Sequence, residues 1–70
     1  MLMGKRIRQL RIRHRLTQKQ LAEIIGTSNH SIHNWEQGNQ EPMLFYCIKM
    51  ADLFKVSLDD LCCREFKGVN

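Results

Sequence analysis

The sequence predicts an all-α domain of five short helices, and three observations carry that expectation. Apolar residues recur at helical spacing from the first residues to about position 61. Serine or threonine caps stand before the second, third and fifth of these runs. No stretch alternates as a strand would, and there is neither an internal repeat nor a low-complexity tract. At 70 residues the chain holds one domain over 1–61 and a short tail over 62–70, without a linker. A chain of this size buries about 60% of its unfolded surface. That makes a thin core and excludes a large cofactor fold or a layered enzyme.

The first helix is expected over 3–14, with Met3, Ile7, Leu10 and His14 on one face. Arg11 lies close to that face, an odd place for a charge, and Ile12 lies opposite among arginines. The second helix spans 18–25. Thr17 can cap it, Gln20 occupies the reciprocal capping-box position, and Leu16 can staple onto Leu21. Gly26 ends it, being the residue best able to take positive φ. Ser28 can cap a third helix over 29–36, whose apolar residues are Ile32 and Trp35. Composition makes 37–42 a loop. A fourth helix over 43–54 is expected to turn Leu44, Cys47, Ile48, Ala51 and Phe54 inward. Ser57 as cap, Asp60 at the third helical position and a Val56–Leu61 staple mark a fifth.

Charge is unevenly placed. Residues 1–22 carry seven basic side chains (Lys5, Arg6, Arg8, Arg11, Arg13, Arg15 and Lys19) and no acid. The other 48 residues carry four basic and seven acidic ones, so the two parts stand at +7 and −3, against +4 overall. One basic pole is the footprint of a polyanion binder, and also of a solvated helix face; charge alone does not separate them. The start, MLMGKRIRQLR, lacks the apolar stretch and cleavage site of a signal peptide. No apolar run approaches the roughly 18 residues of a membrane span. The expectation is a cytoplasmic protein without membrane contact.

Metal and cofactor chemistry find little support. Cys47, Cys62 and Cys63 make an odd count without zinc-ligand spacing, and read as thiols filling apolar gaps. His30 and His33 share a helical face at i, i+3, but nothing supplies a third ligand. No carboxylate pair, phosphate loop or nucleophile with a base is recognisable, so neither an enzyme nor a cofactor is expected.

The third helix is the informative element. Two buried apolar residues give a helix little reason to be ordered by packing alone. Its other face reads Asn29, His30, His33 and Asn34, with Ser31 and Gln37 beside it. Such side chains offer donors and acceptors on short stems, as reading base edges requires; Asn suits the adenine N6/N7 edge. A helix of this length, about 12 Å, matches the major-groove width of about 12 Å. A solvated polar face on an ordinary helix would look similar.

Spacing adds what composition does not. From Gln18 the chain reads QKQLAEIIGTSNHSIHNWEQG, with Ala22 small where two helices cross and Gly26 at the turn. Ile32 and Trp35 follow at intervals that pack the second helix back on the first. This resembles the helix-turn-helix of DNA-binding proteins, here over about 18–36. The wider frame resembles the lambda-repressor-like family of the Cro/C1 or XRE type. The matching residues are Ile7, Leu10, Arg11, Leu16-Thr17-Gln18, Leu21-Ala22, Gly26, Ser28, Ile32, Trp35-Glu36, Gly38, Pro42, Ala51 and Val56 to Leu61.

That resemblance implies roles residue by residue. Arg11 is expected to pair with Glu36, tying the recognition helix to the body. Thr17, Gln18 and Ser28 are expected to contact phosphate at the two helix N-termini, and Asn39 to do so from the loop. Asn29, His30 and Asn34 are expected to face bases, with His33 at the edge of that surface. Arg15 and Lys55 stand where the family often ends a helix with glycine, so both are expected in αL. Met43 stands where a capping serine or threonine is usual.

The implied function is a sequence-specific, double-stranded-DNA-binding transcriptional regulator, a repressor type, acting as a homodimer on a palindromic operator. Phe45, Leu53 and Phe66, the last in the tail, are candidates for an exposed apolar patch that would serve dimer contact, with capping of the core the alternative for Phe66. With no sensing domain expected, control would come from concentration, proteolysis or a protein partner. The alternative is a protein-interaction module, such as an antitoxin or anti-repressor, on the same fold.

Overall fold

The computed structural model describes residues 2–62, which form five helices: α1 (Leu2–Arg13), α2 (Gln18–Ile25), α3 (Asn29–Gln37), α4 (Leu44–Phe54) and α5 (Leu58–Leu61). Among the described residues there is no strand. The residues 63–70, and with them Cys63 and Phe66, lie outside the described residues.

Local chemistry sets the boundaries. Thr17 Oγ1 accepts from the Gln20 N–H at 3.0 Å, and Gln20 Oε1 accepts from the Thr17 N–H at 2.8 Å. Both halves of the capping box are therefore formed. Ser28 and Ser57 cap α3 and α5 by accepting from the N–H of Ser31 and Asp60, each at 3.0 Å. Met43 caps α4 by backbone position alone, without a side-chain bond. Gly26 (φ +83°) closes α2 in the left-handed region, where glycine carries no Cβ penalty. Arg15 and Lys55 adopt the same region at φ +59°, as expected, and each stores about 1 kcal/mol there.

The buried core is Met3, Ile7 and Leu10 of α1, Leu21, Ala22 and Ile25 of α2, Ile32 and Trp35 of α3, Cys47, Met50, Ala51 and Phe54 of α4, and Leu61 of α5. α3 packs against both α1 and α2, while α4 rests on α2 and α5, and α5 returns to α1. Arg6 Nη2 donates to Asp60 Oδ2 at 2.8 Å across that last contact.

Three expectations need correction. Leu44 and Ile48, expected inward, are exposed at 66% and 44%, and Met50 is buried in their place. The buried stripe of α4 is Cys47, Met50, Ala51 and Phe54, a strict i, i+3, i+4, i+7 face. Leu44 and Ile48 lie off that face, in solvent. His14 does not continue the core face of α1. The helix ends at Arg13, and the exposed imidazole instead lies 5.0 Å from the Phe54 ring, with Nδ1 2.9 Å from the Leu10 carbonyl oxygen. Finally, α3 runs to Gln37 rather than 36 before Gly38 (φ +81°) ends it.

Candidate nucleic-acid interface

α3 is held by one face and presents the other. Ile32 and Trp35 enter the core, and Glu36 is buried beside them. Asn29, His30, His33 and Gln37 are exposed and Asn34 is half-buried. The four residues expected to face bases therefore share one accessible surface.

The buried end of α3 is fixed by a charged cluster. Arg11 Nε donates to Glu36 Oε2 at 2.6 Å and Nη2 donates to Oε1 at 3.1 Å, a two-pronged carboxylate contact. Nη1 donates to the Leu16 carbonyl at 2.8 Å, and Gln18 Nε2 donates to Glu36 Oε1 at 3.2 Å. Arg11 and Glu36 together thus join α1, the α1–α2 turn, the first residue of α2 and the C-terminal end of α3. The Glu36 side chain is 1% exposed and that of Arg11 12%, so removing either would strand a poorly solvated charge. Arg11, odd on a core-facing stripe, is explained by this partner.

A second anchor was not recognised from the sequence. Gly4 is buried inside α1, where an added Cβ would lie 2.3 Å from the Trp35 carbonyl oxygen and 2.9 Å from that of Glu36. Only a residue without a side chain lets α1 approach the end of α3 so closely. The available signal was a glycine inside a run whose helical apolar pattern continues through it.

The residues expected to meet phosphate are brought to the ends of α2 and α3. Thr17 and Ser28 use their side-chain oxygens as caps, which leaves the leading N–H groups of each helix as outward donors. Ser28 Oγ also lies 3.0 Å from Ser31 Oγ. Gln18 is half-buried, and the bond its side chain makes is to Glu36. Asn39 is exposed in the turn after α3, and its Nδ2 donates to Asn34 Oδ1 at 3.4 Å.

Electrostatics follow the sequence. Of the seven cations in residues 1–22, Arg6 and Arg11 pair with Asp60 and Glu36. Lys5, Arg8, Arg13, Arg15 and Lys19 are exposed. The accessible face of α3 carries no Lys or Arg. Cys47 is buried and its thiol is pushed up from the ordinary 9.0, first by burial and then by the neighbouring Cys62 thiol. Cys47 belongs to the buried core cluster, where it packs as a small apolar side chain. Cys62 is exposed.

Two helices joined by a glycine turn, the second locked by its inner face and open on its outer one, define a helix-turn-helix domain. A family model described as Helix-turn-helix matches residues 7–61. The chain belongs to that family, in its Cro/C1 or XRE branch with the lambda-repressor-like fold. It is 42% identical over 55 residues to the HTH-type transcriptional regulator YobD of Bacillus subtilis (strain 168), covering 79% of this chain and 49% of that relative. It is 34% identical over 63 residues to the HTH-type transcriptional regulator MJ0272 of Methanocaldococcus jannaschii, covering 90% and 96% of the two chains. The crystal structure of the P22 c2 repressor protein in complex with synthetic operator 9T superimposes with a TM-score of 0.80 at 32% identity, over 84% of this chain and 89% of that one. The chain spans about half the length of YobD. No helix of the described residues is long and apolar enough to cross a membrane.

Proposed function

We propose that the chain is the sequence-specific, double-stranded-DNA-binding part of a transcriptional regulator, a cytoplasmic, nucleoid-associated protein of the repressor type. α3 enters the major groove with Asn29, His30, His33 and Asn34 toward bases. Thr17, Gln18, Ser28 and Asn39 meet the phosphates on either side, and the exposed cations of residues 1–22 supply the sequence-independent attraction. The observation that carries this reading is the division of α3: one face immobilised by Ile32, Trp35 and Glu36, the other an uninterrupted polar surface. Likeness to the P22 c2 repressor, whose crystal structure holds a synthetic operator, supports the same assignment.

Two copies on an inverted repeat would give the specificity that one short helix lacks. Met43, Leu44, Phe45 and Ile48, all exposed at the start of α4, support a further macromolecular contact. Leu53, proposed beside Phe45 for that role, is half-buried against the core, which favours Phe45 over it. The same apolar group favours the second reading, a protein-binding module of the antitoxin or anti-repressor kind. No catalytic step or cofactor enters either reading.

Selection from a random duplex library, at near-physiological salt with competitor DNA, tests the proposal. An enriched inverted repeat with half-sites about 10–11 bp apart is the expected result. Salt-sensitive binding without any enriched sequence would refute sequence reading and leave the protein-binding module.

A further inference from the structure

Two carboxamides and an imidazole nitrogen meet along α3 and the turn that follows it. Asn34 Nδ2 lies 3.1 Å from His30 Nε2. An amide nitrogen has no lone pair to offer, so in this contact Asn34 Nδ2 is the donor and His30 Nε2 the acceptor. At its other end, Asn34 Oδ1 accepts from Asn39 Nδ2 at 3.4 Å. Asn39 is itself placed by the turn that closes the helix, where its N–H donates to the Asn34 carbonyl at 2.9 Å. The Asn34 carboxamide is therefore gripped at both ends. Its nitrogen is drawn toward the start of α3, four residues back, and its oxygen toward the loop, five residues on.

Each grip uses one site, so one N–H and one oxygen lone pair remain. Adenine shows the major groove one acceptor, N7, beside one donor, the N6 amino group. Guanine shows two acceptors, N7 and O6. A fixed amide with one donor and one acceptor left matches adenine, and sets its oxygen against O6 of guanine. We infer that Asn34 reads adenine, and that Asn39 and His30 are positioning residues that fix which end of its amide is which. Asn39 then acts on base choice from outside the recognition helix, in addition to meeting phosphate.

This rests on the DNA-binding reading, and the experiment separates the two. Wild type, Asn34→Ala, Asn39→Ala and His30→Ala are each used in the library selection, followed by affinity measurements on the enriched duplex with single base changes. Wild type should prefer adenine over guanine at one symmetric pair of positions by about 5- to 150-fold. Asn34→Ala should abolish that preference there and nowhere else. Asn39→Ala should weaken it at the same positions by about 2- to 12-fold, the worth of one hydrogen bond, with an unchanged melting temperature. His30→Ala should weaken it there as well. Replacing that adenine by 7-deazaadenine should reduce wild-type affinity and leave Asn34→Ala unaffected.

An Asn39→Ala protein that loses affinity equally on all sequences would make Asn39 a phosphate contact only, and overturns the inference. So does one whose base preferences match wild type, or a guanine at the position Asn34 controls. If wild type enriches no sequence, the DNA-reading assignment fails and takes this inference with it.

Discussion

Replacing Gly4 by alanine sets two physical effects against each other. Alanine is the better helix former by about 1 kcal/mol, so propensity alone makes α1 more stable. Against it stands the Cβ position, 2.3 Å from the Trp35 carbonyl oxygen and 2.9 Å from that of Glu36. Ordinary carbon–oxygen contact lies near 3.3 Å, so α1 and the end of α3 must separate by about 1 Å. Both obstructing atoms are backbone, and both belong to a helix end already fixed by Arg11. Overpacking of this kind costs about 1–3 kcal/mol, and the upper half of that range applies where backbone must move. The net expectation is a loss of about 1–2 kcal/mol, or a melting temperature lower by about 4–15 °C for a domain this small. Thermal unfolding followed by circular dichroism would measure it. Because the shift displaces α3, operator affinity should fall further than stability does. A higher melting temperature for Gly4→Ala would show that α1 does not rest on those carbonyls, and the account of how α3 is held would be wrong.

Other outcomes follow from the same contacts. Arg11→Ala should cost about 3 kcal/mol in urea unfolding because Glu36 is left buried without its partner. Arg8→Ala, on the exposed face, should stay within about 0.5 kcal/mol, and equal values for the two would sink the anchor role. Gln18→Ala should weaken binding to all duplexes alike, whereas Asn29→Ala and His33→Ala should each relax preference at particular positions; a position-specific effect of Gln18→Ala would argue against a phosphate role. Burial raises the Cys47 thiol, so the unfolded chain ionises there first as pH rises. Its stabilising effect is thus intact below the ordinary 9.0 and lost above it, and Cys47→Ala should show a smaller fall in stability between neutral and strongly alkaline pH than wild type.

What could be read from the sequence was whatever chemistry acts over a few residues. Thr17 with Gln20, Ser28 with Ser31 and Ser57 with Asp60 are caps three residues apart, and each forms where the pattern places it. The αL positions of Arg15 and Lys55 were legible only through the family frame, since nothing in either side chain favours that conformation. The Arg11–Glu36 pair, 25 residues apart, came from the same frame. Leu44 and Ile48 show where pattern fails: α4 is apolar on more than one face, and periodicity alone cannot choose the face that a neighbour covers. Gly4 was missed because its reason is a backbone it meets only in the folded chain. Of the site, the residue types on α3 were legible, but the bonds linking His30, Asn34 and Asn39 depend on a turn geometry that composition does not specify.

The placement of charge bears on how such a domain would divide its work. α3 carries no Lys or Arg, so the base contacts proposed for it would add nothing to counterion release. Five exposed cations lie instead on α1, the following turn and the start of α2. On the proposed reading, attraction to phosphate and discrimination among bases fall to different elements, joined through Glu36 and Gly4. Charge substitutions in residues 5–19 should then change the salt dependence of binding, by a slope of about 1 for each phosphate no longer neutralised, without changing the preferred sequence. Lys19→Ala, beside the α2 N-terminus, is the sharpest case. Titrating its operator affinity against salt should give a shallower slope and the same base preferences as wild type. A changed preferred sequence would mean that α2 takes part in reading bases, and that the two tasks are not divided between elements.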